Sequence, residues 1–376
     1  MWDPRALTRI DLRIFPIIFC LMAISLLVIS SMTGAGSEWE SPLFWTPWVK
    51  NQVRWFIVGW GTFFFFAAFD YRKLSDWSLV LYGITLLLLI GLFFVTPIQN
   101  VHRWYKIPYI ANFQPSEQAK LILVMALGWF FERKGNRASS LSTALQMGVM
   151  WGIPFVLILK QPDLGTALIL FAIALCMGYF ANMHRGVFRA LFTVSLLALF
   201  LSAAIFLRVL SHETMRPCFA PFLKEYQYER LNPDTYHQRA AQTAIAIGGW
   251  TGMGWKKSEF AARKWLPAAH TDSVFAAFGE EFGILGLMFL LSLFYALIYC
   301  SFQVAAVARD PFGRLLAVGL AAYLAMHVLV NVAMMTALLP ISGVPLIFVT
   351  YGGSSLLTTM AALGLLQSIY SRRFMF

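Results

Sequence analysis

The chain has 376 residues, 59% hydrophobic and only 12% charged, with a mean hydropathy of +0.68. A soluble domain carries roughly 25% charged residues, so this composition excludes a soluble enzyme, a disordered tail and a disulfide scaffold and leaves an integral membrane protein. The net charge of +11 comes from basic residues lying between apolar runs, where they read as topology signals, so no nucleic-acid partner is expected.

Runs long enough to cross about 30 Å of hydrocarbon as helices occur at Ile14–Met32, Val53–Phe69, Ser78–Val95, Glu117–Phe131, Ala144–Leu159, Leu164–Phe180, Val187–Leu207, Ser273–Phe302, Leu315–Ala337 and Leu346–Tyr370. They predict an all-α polytopic membrane protein of about ten transmembrane helices. The first run follows Arg5, Arg9 and Arg13 and reads as an uncleaved span, since no clean small-x-small cleavage site follows. With the N-terminus cytoplasmic, 14 Lys and Arg fall on inside segments and 6 on short outside connections. The positive-inside bias therefore puts both termini in the cytoplasm.

Between spans seven and eight lies one long extracytoplasmic loop, about residues 208–272. Loops of that length are usually functional or disordered, and its Tyr226, Tyr228, Arg230 and Gly248-Gly249-Trp250-Thr251-Gly252-Met253-Gly254 argue against disorder. The mostly apolar Ala240–Ile247 stretch suits an amphipathic helix lying on the membrane.

Three groups of polar residues could carry chemistry. His270-Thr271-Asp272-Ser273, with Glu280 and Glu281 close behind, sets three carboxylates at or inside the start of a long apolar helix. An ionisable group at membrane depth costs at least ~2.5–3.5 kcal/mol, which makes it a functional candidate; helix capping and ion pairing are the plainer alternatives. Glu117 and Lys120 share a helix face, either as a structural pair or as part of one ionic cluster with Asp272. Arg103 and Trp104 just upstream offer a cation and a stacking surface for an anionic amphiphile. Pro340-Ile341-Ser342-Gly343-Val344-Pro345, leading to Tyr351-Gly352-Gly353-Ser354-Ser355, predicts a broken or kinked helix, tolerated where it is buried or lines a cavity. No GxxxxGK[ST], HExxH or GxSxG motif is present, so any enzyme here should use a substrate that is already activated.

Five segments in order along the chain resemble the SEDS family of bacterial shape, elongation, division and sporulation proteins. They are Phe113-Gln114-Pro115-Ser116-Glu117 with Lys120; Gln161-Pro162-Asp163-Leu164-Gly165-Thr166; Gln242 with Ala246-Ile247-Gly248; His270-Thr271-Asp272 with Gly279-Glu280-Glu281; and Asn331 with the segment from Pro340 to Ser355. Gln161–Thr166 and Gly343-Val344-Pro345-Leu346 look more like the RodA elongation branch. Ser273-Val274 and Thr350 depart from the family pattern without removing a charged candidate.

The resemblance implies a single SEDS-type transmembrane domain over residues 1–376, sitting in the bacterial cytoplasmic membrane with its active face outward. It implies a peptidoglycan glycosyltransferase that polymerises lipid II into glycan strands for cell elongation and shape. The growing strand would be carried on undecaprenyl diphosphate. A class B penicillin-binding protein and other elongation-complex membrane proteins would be its partners. By the same resemblance Asp272, Glu117 and Lys120 are the catalytic set. Arg103, Trp104, Gln114, Gln161, Asp163, Gln242, His270, Thr271, Glu280, Tyr351, Ser354 and Ser355 are the candidate substrate contacts. No cofactor is certain: basic residues or a divalent cation, Mg or Mn, would stabilise the leaving diphosphate, and the residues that would hold a metal are not assigned. A lipid II flippase or transporter and a non-catalytic scaffold of the wall-synthesis complex are the alternatives. The missing inverted repeat weighs against the first, and a scaffold has no need for three converging ionic residues.

Overall fold

The helix starts follow from local chemistry. Thr46, Ser140, Asp163 and Asp310 each accept a hydrogen bond from the backbone N–H three residues on, satisfying one orphan donor of a first turn. Pro47, Pro115 and Pro311 stand just inside their helices, where a missing N–H costs nothing. A computed structural model describes residues 4–34, 44–96, 101–107, 111–219, 228, 231–263 and 265–373, and in it each of the ten apolar runs overlaps a helix, the last of them only from Gly353 on. Tyr226 and Arg230 lie outside the described residues.

The helices are α1 (Ile14–Gly34), α2 (Pro47–Ala68), α3 (Arg72–Gly91), α4 (Pro115–Lys134), α5 (Leu141–Lys160), α6 (Leu164–Phe180) and α7 (Arg185–Phe206). After them come α8 (His212–Phe219), α9 (Tyr236–Gly248), α10 (Glu259–Ala262), α11 (Val274–Val307), α12 (Pro311–Met335) and α13 (Gly353–Ser371). A short antiparallel hairpin, β1 (Tyr105–Ile107) with β2 (Ala111–Phe113), leads into α4. By length and composition alone, six of these helices are apolar enough to cross a membrane: α1, α3, α5, α7, α11 and α12. The others are shorter or carry polar groups, such as Lys50 and Arg54 in α2 and Glu117 and Lys120 in α4. The chain is an all-α polytopic membrane protein.

Burial separates a core from a periphery. In α12, 78% of the most apolar window is buried, against 11% in α7. Helix α4 is buried over most of its length, Ser116, Glu117 and Lys120 included, so Glu117 and Lys120 face protein. Lipid tails are as apolar as leucine, so close packing and buried hydrogen bonds must hold such helices together. Gly319 shows this: a Cβ there would lie 2.4 Å from Val124 Cγ1, and glycine lets α12 close on α4.

Helix α11 is broken at Gly283, whose φ of 64° and ψ of −166° leave the helical region. Released backbone groups at the break bond the glycine-rich turn after α9: Met253 and Gly254 N–H donate to the Glu280 and Glu281 carbonyls at 3.0 and 2.9 Å. In return, Ile284 and Leu285 N–H donate to Gly249 and Trp250 at 2.9 and 3.1 Å. A Cβ on Gly252 would stand 2.1 Å from the Glu281 carbonyl oxygen, so only glycine fits. Helix α9, expected on the membrane surface, packs instead on the bundle, burying Gln238, Ala240, Ala241 and Ala244 while Ile247 stays exposed. The alternation of small and large residues along α9 suits either site, and its partner decides.

The expected kink before the last helix is an unwound stretch, residues 336–352. Asn331 in α12 pins it, donating through Nδ2 to the carbonyls of Val344 at 2.8 Å and Asp272 at 3.0 Å. Irregular backbone at this depth needs such partners or a cavity to line, and here it has both.

Candidate functional site

The unwound stretch, the turn before α11 and the starts of α4 and α6 surround a cavity of about 840 Å³. Arg103, Trp104, Gln114, Glu117, Asp163, Thr271, Asp272, Tyr351, Ser354 and Ser355 line it, and Asn51, Arg54 and Trp55 of α2 form the facing wall. Residues from six separate sequence segments thus meet in one place.

Asp272 is the residue the fold leaves free. Its backbone carbonyl is held by Asn331, yet its half-buried carboxylate takes no hydrogen bond among the described residues. Burial pushes this carboxyl above the usual carboxylate value, Arg103 draws it back down, and Asp163 pushes it up. An acid raised by desolvation and facing a cavity suits proton transfer near neutral pH.

Arg103 is fixed by neutral partners. Its Nε donates to the Gln161 carbonyl at 3.0 Å and its Nη2 to the Pro162 carbonyl. Carbonyls orient the guanidinium without cancelling its charge. Among the described residues Arg54 bonds the neutral Asn51, Nη1 to Oδ1 at 3.2 Å, so a second, exposed guanidinium reaches the cavity from α2. Asp163 is occupied by contrast: it caps α6 through Thr166 and accepts from Ser116 Oγ and Gln114 Nε2, each at 3.4 Å. Gln114 Oε1 in turn accepts from Trp104 Nε1 at 3.2 Å. The two Gln-Pro helix starts are therefore tied to each other, which explains their likeness.

Glu117 lines the cavity, and Lys120 sits fully buried behind it at 2.8 Å. Lys120 Nζ also donates to His327 Nε2 at 2.8 Å and lies 5.5 Å from the Tyr323 ring centre.

The remaining sequence candidates lie outside the cavity. Gln161 is buried and donates to the Leu89 carbonyl at 2.9 Å. Gln242 is exposed on α9. His270 packs on Trp48 with ring centres 5.2 Å apart, its carbonyl accepting from Tyr351 N–H at 3.0 Å, and burial lowers its basicity. Glu280 accepts from Phe260 N–H at 2.8 Å, beside Glu281, which accepts from Lys256 N–H at 3.0 Å and from Ser31 Oγ. Three contributors were not legible beforehand. Arg54 and Asn51 read as flanks of an apolar span, although an i, i+3 polar pair inside the first turns was a usable signal. His327 is a lone histidine in an apolar helix and gave none.

The cavity combines a carboxylate without a hydrogen-bond partner and two guanidiniums without an ion pair among the described residues, a carboxylate with a buried counter-ion, and hydroxyls. It can accept a proton, neutralise an anion and bind polar rings, while lacking a nucleotide-binding loop. Among the described residues no group of three or more His, Cys, Asp or Glu is placed to hold a metal ion.

Comparison with known proteins extends this reading over the whole chain. The peptidoglycan glycosyltransferase MrdB of Escherichia coli K12 is 30% identical over 383 residues, covering 99% of this chain and 95% of that protein. The probable peptidoglycan glycosyltransferase FtsW of Geobacter sulfurreducens is 30% identical over 86% of this chain and 85% of its own. Among solved structures, a chain from work on the coordination of polymerization and crosslinking by a peptidoglycan synthase complex superposes with a TM-score of 0.77 at 26% identity. It covers 98% of this chain and 99% of its own. The Thermus thermophilus rod shape determining protein RodA shares the fold at a TM-score of 0.69 and 24% identity, covering 98% of both chains. The cell cycle protein family model for FtsW, RodA and SpoVE matches residues 12–373, and this chain belongs to that family.

Proposed function

We propose that the chain is a peptidoglycan glycosyltransferase that polymerises lipid II, with residues 1–376 acting as one transmembrane unit of the bacterial cytoplasmic membrane. The observation that carries this reading is the Asp272 carboxylate, unpartnered in a cavity that also holds Arg54, Arg103 and Glu117. The resemblance of the whole chain to named glycosyltransferases supports the same conclusion. The Lys and Arg bias of the loops supports cytoplasmic termini and an outward-facing cavity.

In the proposed step Asp272 takes the proton from the acceptor sugar hydroxyl of lipid II. The hydroxyl oxygen bonds the anomeric carbon of the growing strand, and that carbon's bond to the diphosphate oxygen breaks. Undecaprenyl diphosphate leaves with the bonding electron pair. General-base help of this kind is typically worth 10²–10⁴-fold. Arg103 and Arg54 neutralise diphosphate charge from fixed positions, so little reorganisation accompanies bond breaking. Glu117, Tyr351, Ser354 and Ser355 bind sugar hydroxyls, and Trp104 and Trp55 offer stacking faces. No step above runs through a cation; a Mg or Mn ion would supply further charge neutralisation to the leaving diphosphate, and a requirement for it is tested by chelation. A class B penicillin-binding protein is the proposed crosslinking partner, alongside other elongation-complex membrane proteins.

Purified wild-type protein given labelled lipid II, with and without that partner, tests the activity. Glycan strands are the expected product. Lipid II scrambling in liposomes with no polymer under either condition would replace this reading with the transporter.

A further inference from the structure

Buried ionic pairs need every hydrogen bond satisfied, because an unmatched charge in a low-dielectric interior is costly. Lys120 Nζ makes two hydrogen bonds, to Glu117 Oε1 at 2.8 Å and His327 Nε2 at 2.8 Å, and lies 5.5 Å from the centre of the Tyr323 ring, within cation-π range. His327 is itself fully buried. Its other nitrogen, Nδ1, lies 3.3 Å from the Pro345 carbonyl, which can only accept. The proton therefore sits on Nδ1, and Nε2 presents a lone pair to the ammonium. Tyr323 is held in turn by a 3.0 Å hydrogen bond shared with Thr359.

Two consequences meet at the cavity. Pro345 belongs to the unwound stretch and lines the cavity, as does Glu117. Glu117 Oε2 is buried and has no hydrogen-bond partner, so the pair leaves one carboxylate oxygen uncommitted while Lys120 fixes the other. Histidine thus ties the ionic pair on α4 to the wall formed by the broken segment.

We infer that His327 is a positioning residue for glycosyl transfer: its imidazole holds Lys120 Nζ in place against Glu117 and locks that pair to the Pro345 wall of the cavity. This rests on the polymerase reading of the site. His327 touches no cavity space itself and acts only through Lys120 and Pro345.

The experiment compares wild type, His327→Leu, His327→Gln, Lys120→Met and the double variant Lys120→Met/His327→Leu. Leucine fills the space but supplies no acceptor. Glutamine can offer Lys120 an oxygen and Pro345 an N–H, so it is the conservative rescue. His327→Leu should lower kcat for lipid II polymerisation about 10- to 100-fold, the range expected for losing a hydrogen bond to a charged group. KM should change little, and His327→Gln should recover most of the rate. Thermal midpoints of the same proteins supply a readout independent of turnover: the Lys120 and His327 losses should be strongly non-additive, as for directly coupled partners. An unchanged rate in folded His327→Leu, no rescue by glutamine, or additive midpoint losses would each overturn the assignment. An inactive wild type would sink the polymerase reading instead and leave the midpoint cycle to decide the coupling.

Discussion

Two acidic sites stand within ten residues of each other in sequence and differ in everything that matters for chemistry. Glu280 and Glu281 lie at the break in α11, where Phe260 and Lys256 N–H groups and the Ser31 hydroxyl each donate to one carboxylate oxygen. Asp272 lies in the turn before the same helix and faces the cavity with no such donor. Backbone amides aimed at a carboxylate fasten a loop. An unpaired carboxylate in a cavity is a group the fold holds in readiness, at some cost in stability. The same residue type therefore serves architecture at one end of the first turns and chemistry at the other.

The largest expected break in this comparison is in rate. Asp272→Asn keeps the shape and removes the base, so polymerisation should fall at least about 10²-fold, measured as strand formation per minute from lipid II. Next in size is stability: Lys120→Met strands the Glu117 charge in a buried site and should cost about 3–5 kcal/mol, read by chemical or thermal unfolding in detergent. Glu281→Gln weakens the bonds from Lys256 N–H and Ser31 and should cost about 1–3 kcal/mol, with polymerisation retained once the protein is folded.

The smallest effects concern pH, and they sharpen the account of Asp272. Burial raises its carboxyl, so charge on the folded protein is disfavoured and the stability contribution declines as pH climbs from the ordinary carboxylate value to the raised one. Asp272→Asn should accordingly raise the thermal midpoint at neutral pH while abolishing activity. Arg103 holds the raised value down and Asp163 pushes it up. Arg103→Gln should therefore move the acid limb of the pH–rate profile to higher pH, and Asp163→Asn should move it to lower pH.

Much of this was legible in the residues because hydropathy places the long apolar helices and charge inside apolar runs is expensive enough to be informative. Asp272, Glu117, Arg103 and the broken segment before Gly353 could be picked out on that ground. The separation of Asp272 from Glu280 could not, since it depends on Gly283 leaving the helical region and on the Gly249–Gly254 turn, well upstream in sequence, docking into the gap. His327 was hidden for a related reason: a lone histidine in an apolar helix looks like filler until Lys120 is seen against its ring. Arg54 was hidden by its position, where flank and cavity wall read alike. Gln161, whose side chain bonds the Leu89 carbonyl, shows the converse, a motif residue that holds the scaffold of the site.

The most direct test of the contrast is to measure lipid II polymerisation by Asp272→Asn and Glu281→Gln side by side, each shown to be folded, in the same detergent and with the same partner. The account predicts no strands from the first and near wild-type strands from the second. Full activity in Asp272→Asn would contradict it.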